Sequence, residues 1–170
     1  MSDSAVQTWS GRDRLTPKAG TVQRIVDGSV DVFLEPPGPI SQRHYLLTCG
    51  AGTLLPGWPE KPNTARVVAV PAQETQTKTL DLTAAFAQAD AVGKAALCKD
   101  IDEACAAFAE VCESDASMQA CGTSAEQVAA KLGGLLEAMT AYAVKAEQAR
   151  TAAIERTEQV RSRGVKAAIA

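Results

Sequence analysis

This 170-residue sequence has few aromatic residues, a single histidine and no excess of positive charge. Aromatic residues make up only 4% of the chain, and alanine is abundant in its second half, which is therefore expected to pack through small side chains. The formal net charge of −3 argues against nucleic-acid binding, which depends on lysine and arginine contacts to phosphate. No stretch approaches the roughly 18 apolar residues that a bilayer-spanning helix needs, so we expect no direct insertion into a membrane.

A secretion signal is missing as well. The opening letters MSDSAVQTWSGRDRL contain no basic start followed by an apolar run, which is what a signal peptide requires. The five cysteines are then expected to be reduced thiols in a cytoplasmic protein. Attachment to the inner face of the membrane through a partner is compatible with this expectation.

Motifs of catalysis are absent too. The sequence has no phosphate loop of the form G-x-x-x-x-G-K-[ST] and no pair of carboxylates that marks a cleft. Its only histidine, His44, is expected to be an exposed strand residue, and its odd spacing from Cys49 places the two on opposite faces of one strand. We predict that the chain is not an enzyme and that it uses no cofactor and no metal ion.

The distribution of proline divides the chain into two halves. All eight prolines lie between Pro17 and Pro71. Glycine, valine and threonine are frequent in the first half, and alanine, glutamate, lysine and leucine dominate the second. We place a boundary at Leu80–Asp81, which gives a β-rich domain over residues 1–80 and a helical region over residues 81–170.

Short β-strands separated by tight turns are expected in the first half. The alternation of apolar and polar residues predicts that Val30, Val32 and Leu34 share one face of a strand. The Asp27-Gly28 pair before this strand is typical of a two-residue hairpin turn, because both turn positions favour positive φ. The expected strands cover residues 21–26, 29–35, 42–49, 64–70 and 76–82.

Two long helices are expected in the second half, over residues 82–113 and 125–163. Thr123 or Ser124 is a candidate cap for the second helix, and Gly133-Gly134 is a candidate kink. An apolar stripe on the second helix has the i, i+3, i+4, i+7 spacing of one helix face. The stripe suits either packing on the first helix within one chain or pairing with another chain in a homodimer. Its members are Leu132, Leu135, Leu136 and Met139.

Three cysteines of the first helix are spaced by seven residues: Cys98, Cys105 and Cys112. On a straight helix each lies roughly 10.5 Å above the last, which is too far for a shared zinc ion or for a disulfide. The spacing therefore predicts helix packing, with cysteine as a small buried apolar residue. A metal site or a redox role would require Cys121 or Cys49 to fold close to them.

The order of motifs in the first half resembles the β-roll of cyclic-nucleotide-binding domains. The matching stretches are IVDGSVDVF (25–33), LLTCGAGTLLPGW (46–58), NTARVVAV (63–70) and TKTLDLTAAF (77–86). The resemblance implies an α+β fold, with an N-terminal cyclic-nucleotide-binding-like β-roll followed by a long α-helical hairpin or arm.

The departures from this family fall on the residues that bind the ligand. The family holds the cyclic phosphate with a glutamate and an arginine, and this sequence has Trp58 and Asn63 at those places. Arg66 comes three positions late, which predicts that it lies on the opposite face of the strand. A phosphate without its arginine lacks its main charge partner, so we expect the frame to be kept and the cyclic-nucleotide chemistry to be lost. The candidate pocket residues are Trp58, Asn63, Thr64 and Arg66.

A closer resemblance is to the N-terminal region of NHLM-type peptide-export ABC transporters. It rests on GSVDVF (28–33), RHYLLTCGAGTLLPG (43–57) and the alanine-rich and arginine-rich stretch 135–164. The resemblance implies a non-catalytic regulatory or accessory module of a bacteriocin-type export system, which docks a leader peptide or a transporter subunit. The final letters GVKAAIA carry no helix stop signal, which favours an interrupted longer protein.

Two alternatives to the export module stay open from the sequence. One is a ligand-sensing β-roll of degenerate cyclic-nucleotide-binding type, which signals through its helices. The other is a structural scaffold that forms an oligomer.

Overall fold

The computed structural model describes residues 5–38 and 42–169, which form seven strands and three helices. The strands are β1 (Val6–Trp9), β2 (Thr21–Asp27), β3 (Ser29–Glu35), β4 (His44–Gly50), β5 (Leu54–Pro56), β6 (Arg66–Pro71) and β7 (Thr75–Asp81). The helices are α1 (Leu82–Gln88), α2 (Ala91–Val111) and α3 (Ala125–Ile169), with a short 3-10 turn at Asp115–Ser117 between α2 and α3.

Two antiparallel sheets make up the first half of the chain. One has the strand order β1-β7-β2-β5 and the other has the order β4-β3-β6. Val30, Val32 and Leu34 of β3 are fully buried, as the apolar alternation predicted. Val22 and Ile25 of β2 are buried in the same hydrophobic cluster. The two sheets therefore enclose a common core, which is the arrangement of a β-roll.

The Asp27-Gly28 pair is a corner and not the hairpin turn that the sequence predicted. β2 pairs with β5 and β7, whereas β3 pairs with β4 and β6. Gly28 adopts φ 83°, as the turn signal implied, but the chain uses this conformation to pass from one sheet to the other. A Cβ atom at Gly28 would lie 2.7 Å from the backbone oxygen of Glu74, so the corner also depends on a close approach of the loop before β7.

The helical half differs from the sequence prediction in its breaks. The single helix expected over residues 82–113 is divided before α2, where the Asp90 side chain accepts a hydrogen bond from the backbone N–H of Gly93. Asp90 thereby satisfies one of the free N–H groups at the start of α2. α3 is one continuous helix of 45 residues, so the glycine pair at 133–134 does not interrupt it, and it extends beyond residue 163.

The helices pack on the sheets, and one hydrophobic cluster contains residues of both halves. The apolar stripe of α3 lies inside this cluster, and its four side chains are at most 1% exposed. Cys105 and Cys112 are buried with it, whereas Cys98 is partly buried. The expected α+β class, a β-roll followed by long helices, is confirmed, and the division into two domains stays a prediction. Within the described residues, no helix is long and apolar enough to cross a membrane.

Candidate ligand-binding cleft

An open cleft of about 860 Å³ lies beside the β-roll. Four segments meet around it: residues 14–17, the turn at 35–38, the loop at 58–65 and the first residues of β6. The volume is within the range of small-molecule sites, and three of the four segments are connecting loops, where binding residues concentrate.

Trp58 forms the aromatic part of the cleft wall. It is only 7% exposed, and its ring packs edge-on against Phe108 of α2, with 5.2 Å between the ring centroids. Its Nε1 atom is buried and has no hydrogen-bond partner among the described residues. A buried donor without an acceptor costs about 1–3 kcal/mol, so an acceptor that reached Nε1 would remove an existing penalty.

The loop before β6 is held in one shape by proline and by a local hydrogen bond. Pro59 and Pro62 restrict their own φ angles, and the Thr64 hydroxyl donates to the backbone oxygen of Lys61 at 2.8 Å. Asn63 adopts φ 60°, a left-handed conformation that asparagine tolerates better than most residues. The loop therefore presents Asn63 and Thr64 to the cleft in fixed positions.

The charged residues around the cleft are unevenly paired. Glu35 lies 2.7 Å from Arg43 and 3.9 Å from Arg14, so its charge is balanced. Arg66 is exposed, and it makes no ion pair within the part of the chain that the structure describes. Glu60 also lines the cleft and opposes the positive potential of Arg66. Because arginine binds carboxylates and phosphates through a planar fork of donors, Arg66 is the natural contact for an anionic group.

The cleft loop is tied directly to α3. The backbone N–H of Ala65 donates to Thr140 Oγ1 at 3.0 Å, and the Thr140 hydroxyl donates to the backbone oxygen of Leu136 at 2.7 Å. Lys61 Nζ lies 2.7 Å from Glu137 Oε1, and this hydrogen bond and the charge of Lys61 lower the pKa of Glu137. A ligand that moved the loop would therefore alter contacts of α3.

The four residues predicted as a pocket, Trp58, Asn63, Thr64 and Arg66, all line this one cleft. The expectation that Arg66 lies on the opposite face stays a prediction, because Arg66, Val67 and Val68 all line the cleft and consecutive strand residues alternate between faces. Arg66 is the first residue of β6, and the loop before it does not follow strand alternation. The role of these residues as ligand contacts stays a prediction. Sequence reasoning missed Glu137 and Thr140, since their partners are 76 and 75 residues away and no local motif marks them.

His44 was expected to be exposed, and it is instead half-buried against α3. Its side chain is 16% exposed, and Nε2 lies 3.5 Å from Glu147 Oε2. A hydrogen bond from Arg150 lowers the pKa of Glu147, which keeps this carboxylate charged beside His44.

Burial raises the pKa of the Cys49 thiol to about 11. Within the described residues, no three or more histidine, cysteine or acidic side chains are arranged to hold a metal ion.

No family model matches the sequence, and no curated protein matches it.

Several solved structures share part of the architecture. FixK2 from Bradyrhizobium japonicum is similar at a TM-score of 0.48 and 13% identity, over 63% of this chain and 55% of that one. An OCPA-complexed CprK gives a TM-score of 0.48 and 10% identity, over 63% of this chain and 49% of that one. The EAL enzyme Bd1971 gives a TM-score of 0.41 and 12% identity, over 55% of this chain and 88% of that one. The match to oxidised CprK in complex with o-chlorophenolacetic acid covers only 32% of the length of that protein.

Proposed function

We propose that the chain is a non-catalytic ligand-binding regulatory module, whose cleft binds a small anionic molecule and whose helix α3 responds to it. The observation that carries the proposal is the Trp58 indole, a buried N–H donor without a partner in the wall of a cleft of about 860 Å³. Arg66 lines the same cleft and supplies a cation. The exposed Arg66 guanidinium offers an anion a charged donor, and the Trp58 N–H would be a second, neutral donor for a ligand whose binding uncovered it.

The residues of the cleft differ from those of a cyclic-nucleotide site. This difference favours small carboxylates and phosphate esters as the first ligands to test. Trp58 occupies the place of a glutamate that helps to hold the cyclic phosphate in the family that the β-roll resembles. An indole at that place favours a flat or apolar body next to the anionic group, because aromatic faces stack on such groups.

Communication with α3 follows from the contacts of the cleft loop. Ala65 and Lys61 of this loop bind Thr140 and Glu137 of α3. By linkage, a ligand that binds more tightly when these bonds are made must strengthen them in turn. Thr140→Val removes the hydroxyl acceptor, and it is therefore expected to change both ligand affinity and the protection of α3 amides against hydrogen exchange.

Ligand binding is measured by thermal unfolding of the full chain. The probes are cyclic AMP, cyclic GMP and a panel of small carboxylates and phosphate esters. A ligand at about 100 times its Kd stabilises the folded state by about 2.7 kcal/mol, which raises Tm by roughly 5–11 °C for a chain of this size. Trp9→Phe leaves Trp58 as the only tryptophan, since the chain has two, so its fluorescence then reports the cleft directly.

Charge variants test whether the ligand is an anion bound at Arg66. Arg66→Gln is expected to weaken binding roughly tenfold or more, because it removes a charge-assisted hydrogen bond. Glu60→Gln is expected to strengthen binding roughly twofold to fivefold, because it removes an exposed opposing charge. Arg161→Gln, on an exposed part of α3, is the matched control and should leave affinity unchanged. Equal affinities of wild type, Arg66→Gln and Glu60→Gln, or no shift with any probe, would refute the proposal.

Docking of a leader peptide or a transporter subunit for peptide export stays a prediction from sequence resemblance. Absence of catalysis, a homodimer formed through the helices and assembly into a scaffold stay predictions too. Binding of a leader peptide in a pull-down would support the export module. Sedimentation of the chain alone as a large oligomer would support the scaffold.

A further inference from the structure

The cleft beside the β-roll is lined by a second arginine besides Arg66. Arg14 lies on the segment before Leu15, and its side chain is 62% exposed. Its Nη1 atom lies 3.9 Å from Glu35 Oε1, which is beyond the roughly 2.7–3.2 Å of an N–H···O hydrogen bond. Within the described residues Arg14 is therefore only loosely paired, and its planar set of donors can turn to a ligand.

The carboxylate of Glu35 is the point around which three arginines gather. Arg43 Nε donates to Glu35 Oε1 at 2.7 Å, so this pair already neutralises the carboxylate. Arg66 of β6 is the cross-strand partner of Glu35 of β3, and directly opposite residues of an antiparallel pair share one face, with Cβ atoms about 4.5–5.5 Å apart. One negative charge thus stands among three positive charges, of which Arg14 and Arg66 line the cleft.

We propose that the cleft selects a doubly charged anion of the phosphate monoester class, which Arg14 and Arg66 bind together. The inference rests on the proposed function, because it specifies the charge of the anion that the cleft would bind. A phosphate monoester carries close to two negative charges above pH 7. Each guanidinium can bind two of its oxygens through a planar fork of donors.

The charges of the cleft favour two negative charges over one. Lys61 is occupied by Glu137 at 2.7 Å, so Arg14 and Arg66 are the cations left for a ligand, and Glu60 opposes them. A singly charged anion bound at one arginine would leave the other without a hydrogen-bonded partner, whereas a dianion satisfies both. Cyclic nucleotides are phosphodiesters with one charge, so they are expected to bind more weakly than a monoester.

Arg43 is a positioning residue on this reading, since it is not among the described residues that line the cleft. Its hydrogen bond holds the Glu35 carboxylate, which otherwise would pair closely with Arg14 and compete with the ligand. Arg43→Gln should therefore weaken binding of a dianion roughly threefold, as expected for one exposed charge pair. In a Glu35→Gln background the same substitution should have no effect.

Two probes of nearly the same shape test the preference for a dianion. Phenyl phosphate carries about two negative charges at pH 8, and phenyl sulfate carries one. The Kd of each is measured at constant ionic strength from the fluorescence of Trp58 in the full chain with Trp9→Phe. We expect phenyl phosphate to bind roughly tenfold more tightly, because it alone engages a second charge-assisted contact.

Variants show whether Arg14 provides the second contact. Arg14→Gln should weaken phenyl phosphate roughly tenfold and phenyl sulfate less than twofold, so that the difference between the probes disappears. Arg66→Gln should weaken both probes. Arg12→Gln is the matched control, because Arg12 is exposed, lies two residues from Arg14 and is not among the described residues that line the cleft. It should leave both Kd values unchanged.

The outcomes separate this inference from the proposed function. Equal Kd values for phenyl phosphate and phenyl sulfate, or equal weakening of both by Arg14→Gln, would overturn the dianion preference and leave an anion-binding cleft. Binding of neither probe, nor of any carboxylate or phosphate ester in the panel, would overturn both. A loss in Arg43→Gln that persists in the Glu35→Gln background would overturn the positioning role of Arg43.

Discussion

Replacing Asp102 by asparagine is expected to destabilise the fold by about 3 kcal/mol, because it leaves the charge of Lys131 without its partner. The Lys131 side chain is only 4% exposed, so water compensates little for the lost carboxylate. Asp102 itself is 33% exposed, which places the cost at the low end of the range for breaking a buried pair. For a chain of this size the loss corresponds to a decrease in Tm of roughly 6–12 °C.

Removing the other partner should cost less. In Lys131→Met the Asp102 carboxylate keeps the hydrogen bond from the backbone of Cys121 and remains partly in water. The methionine side chain also retains most of the apolar stem of lysine. We expect a loss of about 1 kcal/mol or less, and a double variant close to Lys131→Met alone.

The effect of Asp102 should depend on pH with a definite sign. Burial works to raise the pKa of Asp102, but the hydrogen bonds from Lys131 and Cys121 and the charge of Lys131 outweigh it, so the pKa is lowered. A carboxyl group with a lowered pKa contributes stability above its unfolded value of about 4, and this contribution is lost as the pH falls through the folded value. The difference in stability between wild type and Asp102→Asn should therefore shrink below about pH 4.

The assay is urea unfolding of the reduced chain at pH 7 and again at the lowest pH at which the protein stays folded. Reductant keeps all five cysteines as thiols, so that oxidation does not enter the comparison. Equal losses for Asp102→Asn and Lys131→Met, or a difference that persists unchanged at low pH, would refute the assignment of Asp102 as the charge partner of a buried lysine.

Two further predictions concern packing. Gly57→Ala should cost about 3 kcal/mol or more, because its Cβ would lie 1.8 Å from the backbone oxygen of Lys18. Gly134→Ala should instead stabilise α3 by about 0.5–1 kcal/mol, since its Cβ would have no atom within 4 Å apart from its chain neighbours and the adjoining helix backbone. Urea unfolding of both variants checks the pair, and similar losses at the two glycines would contradict it. Leu135→Ala should cost about 3 kcal/mol, because Leu135 is fully buried; a loss below about 1 kcal/mol would show that α3 packs loosely on the β-roll.

Five of the seven strands were predicted to within about two residues at each end, because their signals are local, whereas the short strands β1 and β5 were not predicted. In β3 the alternation of valine and leucine with polar residues gives the bounds Ser29–Glu35 and the buried face directly. The Asp27-Gly28 pair shows where such signals end. Its positive φ was predictable from the residue type, but the choice between a hairpin and a corner depends on which strands pair with β2 and β3, and those partners lie far along the chain.

The cleft was predictable in part for the same reason. Trp58 and Asn63 stand at places that the order of glycine and Thr-Ala motifs marks. The contribution of α3 through Glu137 and Thr140 was not predictable, because it depends on the angle at which α3 crosses the β-roll. The hydrogen bond from the backbone N–H of Cys121 to Asp102 likewise depends on how the loop after α2 folds back, and no spacing rule encodes that.

The length of α3 has a mechanical consequence. Ala143 is the last fully buried side chain of this helix up to residue 162, and Glu147 still contacts His44 of β4 one turn later, so the helix beyond Glu147 is a rod supported near one end. From Thr140 to Ile169 the helix measures roughly 43 Å at about 1.5 Å per residue. A tilt of about 10° at the hydrogen bond between Ala65 and Thr140 would carry its far end through roughly 7 Å. A small rearrangement beside the cleft would thus be magnified into a displacement of several ångströms at the far end of α3.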